Sequence, residues 1–177
     1  MPKKIIITGG PSTGKTSIIE ELKKEGHQCM DEVSREVILE ARKKGIEHLF
    51  LTSPIYFSEI LLKKRIQQYF DADKTETTHV FFDRGIIDIM AYLKFSKTTH
   101  NIKFQEALYN MKFECIFICP PWEEIHTTDN ERYESFEEAK RIHNDLVACY
   151  KKEGYSVIEI PKGTVKERYN FILKKIS

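Results

Sequence analysis

Short runs of β-branched and aromatic residues alternate along the chain with longer stretches in which apolar residues recur every three or four positions. This is the pattern of strands joined by crossover helices in a parallel sheet. Five strands are expected, at residues 4–8 (KIIIT), 28–31 (QCMD), 79–83 (HVFFD), 115–119 (CIFIC) and 156–160 (SVIEI). Helices are expected at 15–24, 33–44, 54–72, 86–95, 103–112, 136–152 and 165–176. Three of them carry start signals. Ser53 precedes Pro54, so its hydroxyl can accept from free N–H groups of the first turn, while the proline sits where it forfeits no bond. Ser135 with Glu138, and Thr164 with Glu167, have the spacing of a capping box. Irregular stretches remain at 96–102 and 120–132. Ligands of open α/β sheets bind beyond the carboxyl ends of the strands, so such loops are candidate lids.

The chain has 177 residues and no internal repeat, low-complexity tract or Pro/Gly/Ser-rich linker, and it reads as one domain over 1–177. Lys and Arg total 28 against 27 Asp and Glu. A formal net charge of +1 argues against a protein that neutralises a long run of nucleic-acid phosphates, though not against a small phosphorylated ligand. Cys29, Cys115, Cys119 and Cys149 show no C-x-x-C spacing, and two of them lie in one apolar strand run. Free core thiols are expected rather than disulfides or a zinc site. No apolar stretch approaches the roughly 18 residues of a membrane helix, and MPKKIIITGG is too short an apolar run for a secretory signal. Residence in the cytoplasm, with no membrane partner, is the resulting expectation.

One segment carries specific chemistry. Gly9, Gly10, Pro11, Ser12, Thr13, Gly14, Lys15 and Thr16 satisfy G-x-x-x-x-G-K-[ST], between an expected strand and an expected helix. The glycines let the backbone curl so that N–H groups face phosphate oxygens, and the helix N-terminus adds partial positive charge. Lys15 would reach the β- and γ-phosphates, and the Thr16 hydroxyl would ligate Mg²⁺, with Ser17 next in the same turn. A dinucleotide fingerprint would need a glycine where Pro11 stands. The guanine-reading tetrapeptide Asn-Lys-x-Asp does not occur.

The other strand ends supply acids and arginines. Asp83-Arg84-Gly85 follows the apolar strand HVFFD, and an arginine there suits a second anionic or polar substrate better than activation of water. Asp31 and Glu32 end the second strand, with Arg35 three positions beyond Glu32. A carboxylate at this place can accept a proton from a substrate hydroxyl or hold metal-bound water; it can equally cap the next helix. Arg132, in the polar loop Asp129-Asn130-Glu131-Arg132, is a candidate lid arginine for the γ-phosphate. Gln67, Gln68 and Tyr69, on the long helix after Pro54, are candidates to line an acceptor pocket.

These residues together resemble the small single-domain P-loop proteins of the AAA type described as predicted ATPases. That group is similar to the ribosylnicotinamide kinase domain and, more distantly, to nucleoside and nucleoside monophosphate kinases. The resemblance runs through ITGGPSTGKTS, Glu32-x-x-Arg35 and FFDRGIIDIMAY, where Asp83, Arg84, Gly85, Asp88 and Tyr92 match the family pattern. It continues through Asp129-x-x-Arg132, GYSVIEIP and VKERYNFIL. It implies a P-loop NTPase three-layer α/β sandwich whose five-stranded parallel sheet has the order 2-3-1-4-5, with a lid around 120–135. It also implies ATP and Mg²⁺ at the P-loop, Gly163 and Thr164 against adenine, and an acceptor over the ends of the second and third strands. Where the family commonly has proline before the glutamate, this chain has Asp31, so either acid could be the base.

The function expected is therefore an ATP- and Mg²⁺-dependent phosphotransferase acting on a small nucleoside-like or nucleotide acceptor. Lys15 and Arg132 would stabilise the migrating group, Thr16 and Asp83 would serve the metal, and Glu32 or Asp31 would be base or anchor. Arg35, Arg84 and Asp88 would orient the acceptor. The alternatives are a nucleotide-dependent ATPase or switch without an acceptor, and a nucleic-acid end kinase, which would need a basic channel.

Overall fold

The computed structural model describes residues 1–99, 102–128 and 134–176. Strands β1 (Lys3–Gly9), β2 (Gln28–Met30), β3 (His79–Asp83), β4 (Cys115–Cys119) and β5 (Val157–Glu159) form an all-parallel sheet in the order β2-β3-β1-β4-β5. The helices are α1 (Lys15–Lys24), α2 (Val33–Lys43), α3 (Leu49–Thr52), α4 (Pro54–Ala72), α5 (Ile86–Phe95), α6 (Ile102–Asn110), α7 (Phe136–Lys152) and α8 (Val165–Ile176). This is the P-loop kinase order that the family resemblance implies.

The strands are apolar on both faces because both faces are covered. Ile5, Ile7, Phe81 and Phe117 point to the side packed by Ile18 and Leu22 of α1 and Ile172 of α8. Their neighbours Ile6, Val80, Phe82, Ile116 and Ile118 point to the opposite side, against α2 and α4 to α7. In register, Ile7 of central β1 lies opposite Asp83, the end of β3, while β1 and β4 run two residues further and end together at Gly9 and Cys119. Burying each such Ile or Phe contributes about 1.5–3 kcal/mol, against about 1 kcal/mol for a helix cap. The site is therefore held mainly by the sheet core.

Several local expectations are corrected. β2 stops at Met30, which puts Asp31 beyond the strand, and β5 keeps three residues of the five expected. The short helix α3 and a 3₁₀ turn at Glu123–Ile125 were not legible in the sequence pattern, each being too short to show a period. Ser53 precedes α4 with Pro54 in its first turn, but its side chain makes no cap bond. Ser53 also terminates α3, at φ −146° and ψ 63°, and its backbone carbonyl rather than its hydroxyl accepts the Phe57 N–H at 3.0 Å. The other two caps form as expected: Ser135 Oγ accepts from Glu138 N–H at 3.3 Å while Ser135 N–H donates to Glu138 Oε2 at 2.8 Å, and Thr164 and Glu167 do likewise. All four cysteines are free, and burial pushes the Cys29 thiol up to about 12. Among the described residues no helix is long and apolar enough to cross a membrane.

Candidate functional site

The loop from Gly9 to Gly14 joins central β1 to α1, and its shape is fixed by contacts from below. Gly14 has φ +73°, and a Cβ there would lie 2.7 Å from Arg168 Nη1. Arg168, buried on α8, donates from Nη2 to Thr13 O at 3.1 Å and lies over the Trp122 ring, 5.8 Å from its centre. Ser12 is also left-handed, at φ +54°, and its hydroxyl donates to Thr127 O at 2.6 Å. Helix α1 has no acid in its first turn, so its positive end is not neutralised by its own side chains and suits an anion.

Around this loop the charges are paired and buried. Lys15 bonds Asp83, the last residue of β3, with both side chains under a tenth exposed. Glu32, the residue capping α2, accepts from Ser34 N–H at 3.1 Å and from Arg65 Nη2 at 2.8 Å. Arg84 Nε approaches Glu32 Oε2 at 2.6 Å as an ion pair, but its angle makes no hydrogen bond, and this buried oxygen has no hydrogen-bond partner among the described residues. Burial raises the Glu32 carboxyl, but Arg65, Arg84 and Lys15, with the Ser34 N–H, outweigh it and lower its pKa to about 2. Arg65 also donates from Nη1 to Asp83 O at 3.1 Å, tying the two acids together through one side chain.

Arg84 holds a left-handed backbone, φ +71°, a conformation that costs a non-glycine residue about 1 kcal/mol or more. Its N–H donates to Ile7 O at 3.0 Å and its Nη1 to Gly9 O at 2.8 Å, binding the Asp-Arg-Gly turn to β1. Asp88, 2% exposed, is bonded on both oxygens from within the protein: by Thr8, by Tyr150 at 2.5 Å, by the Gly85 N–H at 2.8 Å and by Arg84 Nη1 at 3.4 Å. Gly85 is required by space: a Cβ there would meet Ile6 Cδ1 at 2.4 Å and the Tyr150 hydroxyl at 3.0 Å.

A cavity of about 930 Å³ opens from the loop toward the ends of β2 and β3. One end holds Lys15, Glu32, Arg65, Asp83 and Arg84, with the Tyr92 ring 5.6 Å from the Arg84 guanidinium; the other is walled by α2, α3, α4 and α5, with Phe50, Phe57 and Phe95. From α4 it takes Pro54, Phe57, Ser58, Leu61 and Arg65, the face repeating every three to four residues.

Of the sequence candidates, the loop residues Gly10 to Ser17, together with Asp31, Glu32, Arg35, Asp83, Arg84 and Asp88, line this cavity. Gly9 is buried beneath it. Asp31 is exposed and bonded to Lys23, unlike Glu32 next to it. Gly163 and Thr164 lie at the start of α8 and do not line the cavity. Gln67, Gln68 and Tyr69 do not line it either: their helical positions turn them toward Asp71, Asp31 O and Lys112 O. Arg132 and Asp129 fall outside the described residues. The sequence reading missed Arg65, hidden in the charged run Lys63-Lys64-Arg65, and missed Arg168 and Tyr150. A signal existed for Arg65, which stands four residues after Leu61 and seven after Ser58, on the buried stripe of α4.

Among the described residues no three His, Cys, Asp or Glu side chains could together hold a metal ion. Mg²⁺ does not require such a cluster; it keeps waters and takes one or two protein ligands beside phosphate oxygens. The Thr16 hydroxyl, at the head of α1, and the Asp83 carboxylate fit that pattern.

The AAA domain family model matches residues 4–168, and the chain belongs to that family. No curated protein sequence matches it. Among solved structures it is similar to deoxyadenosine kinase from M. mycoides with the products dCMP and a flexible dCDP bound, at 18% identity and TM-score 0.70 over 98% of each chain. It is also similar to NadR in complex with NR, at 17% identity and TM-score 0.75, over 99% of this chain and 50% of that one. NadR in complex with NAD and AMP-PNP gives 17% and 0.72 over 97% and 48%. At these identities the likeness establishes the P-loop kinase fold.

Proposed function

We propose that this member of the AAA domain family is an ATP- and Mg²⁺-dependent phosphotransferase that moves the γ-phosphoryl group of ATP to a hydroxyl of a small nucleoside-like acceptor. One observation carries the reading: the P-loop lysine and an ionised, buried glutamate with an unbonded oxygen stand at the same end of a cavity large enough for an acceptor. A buried carboxylate oxygen lacking a donor suits an acceptor O–H; an acceptor phosphate would set two anions face to face.

In this reading Lys15 leaves Asp83 for the β- and γ-phosphates, with the loop N–H groups around them. Thr16 and Asp83 would hold Mg²⁺, which when bound supplies positive charge to the phosphate oxygens. Glu32 Oε2 accepts the hydroxyl proton as the acceptor oxygen bonds to the γ-phosphorus. The bond from that phosphorus to the β–γ bridging oxygen breaks, and its electron pair leaves on ADP. Arg84 and Arg35 orient the acceptor, Asp31 remains with Lys23 outside the reaction, and Asp88 positions Arg84. Arg132 serves as the lid cation, and Gly163 and Thr164 lie toward the adenine, as the family resemblance implies. Kinship of fold with deoxyadenosine kinase and NadR supports a nucleoside acceptor.

The test is a panel of nucleosides, nucleotides and vitamin ribosides incubated with ATP and Mg²⁺ and read by product mass. A product heavier by one phosphoryl group on a hydroxyl is the expected result. Tight ATP binding with no acceptor phosphorylated would favour an ATPase or switch instead.

A further inference from the structure

The charges along the cavity are not matched equally. Lys15 pairs with Asp83, Lys23 with Asp31, and Arg65 and Arg84 with Glu32. Arg35, which also lines the cavity, has no acidic partner among the described residues. Arg42 is two turns further along the same face of α2, about 10 Å along the axis. Its only ion pair among the described residues is long, 3.8 Å to a Glu47 that is 71% exposed, while its Nε is buried without a hydrogen bond. The acids of α2 and its flank, Glu36, Glu40 and Glu47, do not line the cavity; the lining acids outside the pairs above, Glu20, Asp88, Glu134 and Glu138, stand on α1, on α5 and at the start of α7. Ile38, Leu39 and Phe50 do, and they give the space around the two guanidinium groups an apolar wall.

We propose that the acceptor carries an oxyanion, a carboxylate or a phosphate, remote from the hydroxyl that reacts, and that Arg35 and Arg42 bind it. The inference rests on the phosphotransferase reading above. Arg35, one turn past Glu32, faces the middle of such an acceptor, and Arg42 faces its far end. A planar guanidinium matches the paired oxygens of either group. The weak, exposed pair with Glu47 is readily exchanged for a bound anion.

Calorimetry with AMP-PNP and Mg²⁺ present tests this on matched pairs. Orotidine against uridine adds a carboxylate to the ring, and thymidine 3′-monophosphate against thymidine adds a phosphate away from the 5′-hydroxyl. The acidic member of at least one pair is expected to bind about tenfold more tightly or better, and the arm that shows it identifies the oxyanion. In the double variant Arg35→Gln/Arg42→Gln the ratio falls toward one. Arg42→Lys retains part of it, and Arg141→Gln on α7 retains all of it. A ratio near one in both arms, or one that survives the double variant, overturns the proposal. A neutral nucleoside phosphorylated without any preference overturns this inference alone. Failure of every compound to bind while AMP-PNP still raises the melting temperature overturns the phosphotransferase reading with it.

Discussion

The two ends of the cavity are built on different principles. At the phosphate end Lys15, Asp83, Glu32, Arg65 and Arg84 pair with one another, their side chains are largely buried, and two non-glycine residues, Ser12 and Arg84, hold left-handed backbones. At the far end the walls are aromatic and aliphatic, and Arg35 and Arg42 are unpaired or loosely paired. The first end is part of what holds the sheet's carboxyl edge together, because Arg65 and Arg84 tie β1, β3 and α2 through backbone carbonyls and one carboxylate. The second end contributes little to that edge and can vary without unfolding it. On the proposed function, the reacting groups are thus built where substitution is costly, and the acceptor's remote part is met where it is cheap.

Lys15→Ala should separate the two ends most sharply. It leaves the buried Asp83 unpaired, at about 3–5 kcal/mol in stability, and it should abolish the rise in melting temperature given by AMP-PNP with Mg²⁺. An undiminished rise would mean that the nucleotide is not held by this loop.

Arg65→Leu tests whether the phosphate end is a connected unit. Glu32 loses its principal cation, so its pKa should climb from about 2, with a loss on the order of 3 kcal/mol. The sign in acid follows from linkage. A carboxyl lowered from 4.5 to about 2 contributes about 3 kcal/mol above pH 4.5, lost as the pH falls toward 2. The acid-unfolding midpoint should therefore move to higher pH in Arg65→Leu, and an unmoved midpoint in circular dichroism would show that Arg65 does not hold Glu32. The same shift predicts that phosphoryl transfer has no acid limb from Glu32 above about pH 3.

The smallest effect is expected at the far end. Phe57→Leu, beside Phe50 with ring centres 6.2 Å apart, should change the KM for the acceptor by up to about tenfold. The change in stability should stay under about 1.5 kcal/mol. A large drop in melting temperature with KM unchanged would erase the contrast between the ends.

Much of this protein was legible in its residues. The strand runs, the G-x-x-x-x-G-K-[ST] spacing and two capping boxes depend on neighbours within a few positions, and their outcomes follow from local sterics and hydrogen bonding. The two-sided core was legible because a parallel sheet covered by helices leaves an unbroken apolar signature in each strand, whereas the strand order was implied only by the family resemblance. Adjacent acids were another matter. Asp31 and Glu32 are indistinguishable as residue types, yet one is exposed on Lys23 and the other buried between two arginines from α4 and the β3–α5 turn. Asp88, read as orienting an acceptor, lines the cavity, and its oxygens are also bonded by Gly85 nearby and by Thr8 and Tyr150, which are remote in the chain. Arg65 was lost in a charged run. Local pattern determines which segments become strands and helices. Only the packing of distant segments decides which charges leave water, which partners meet them there, and hence which acid is held ionised.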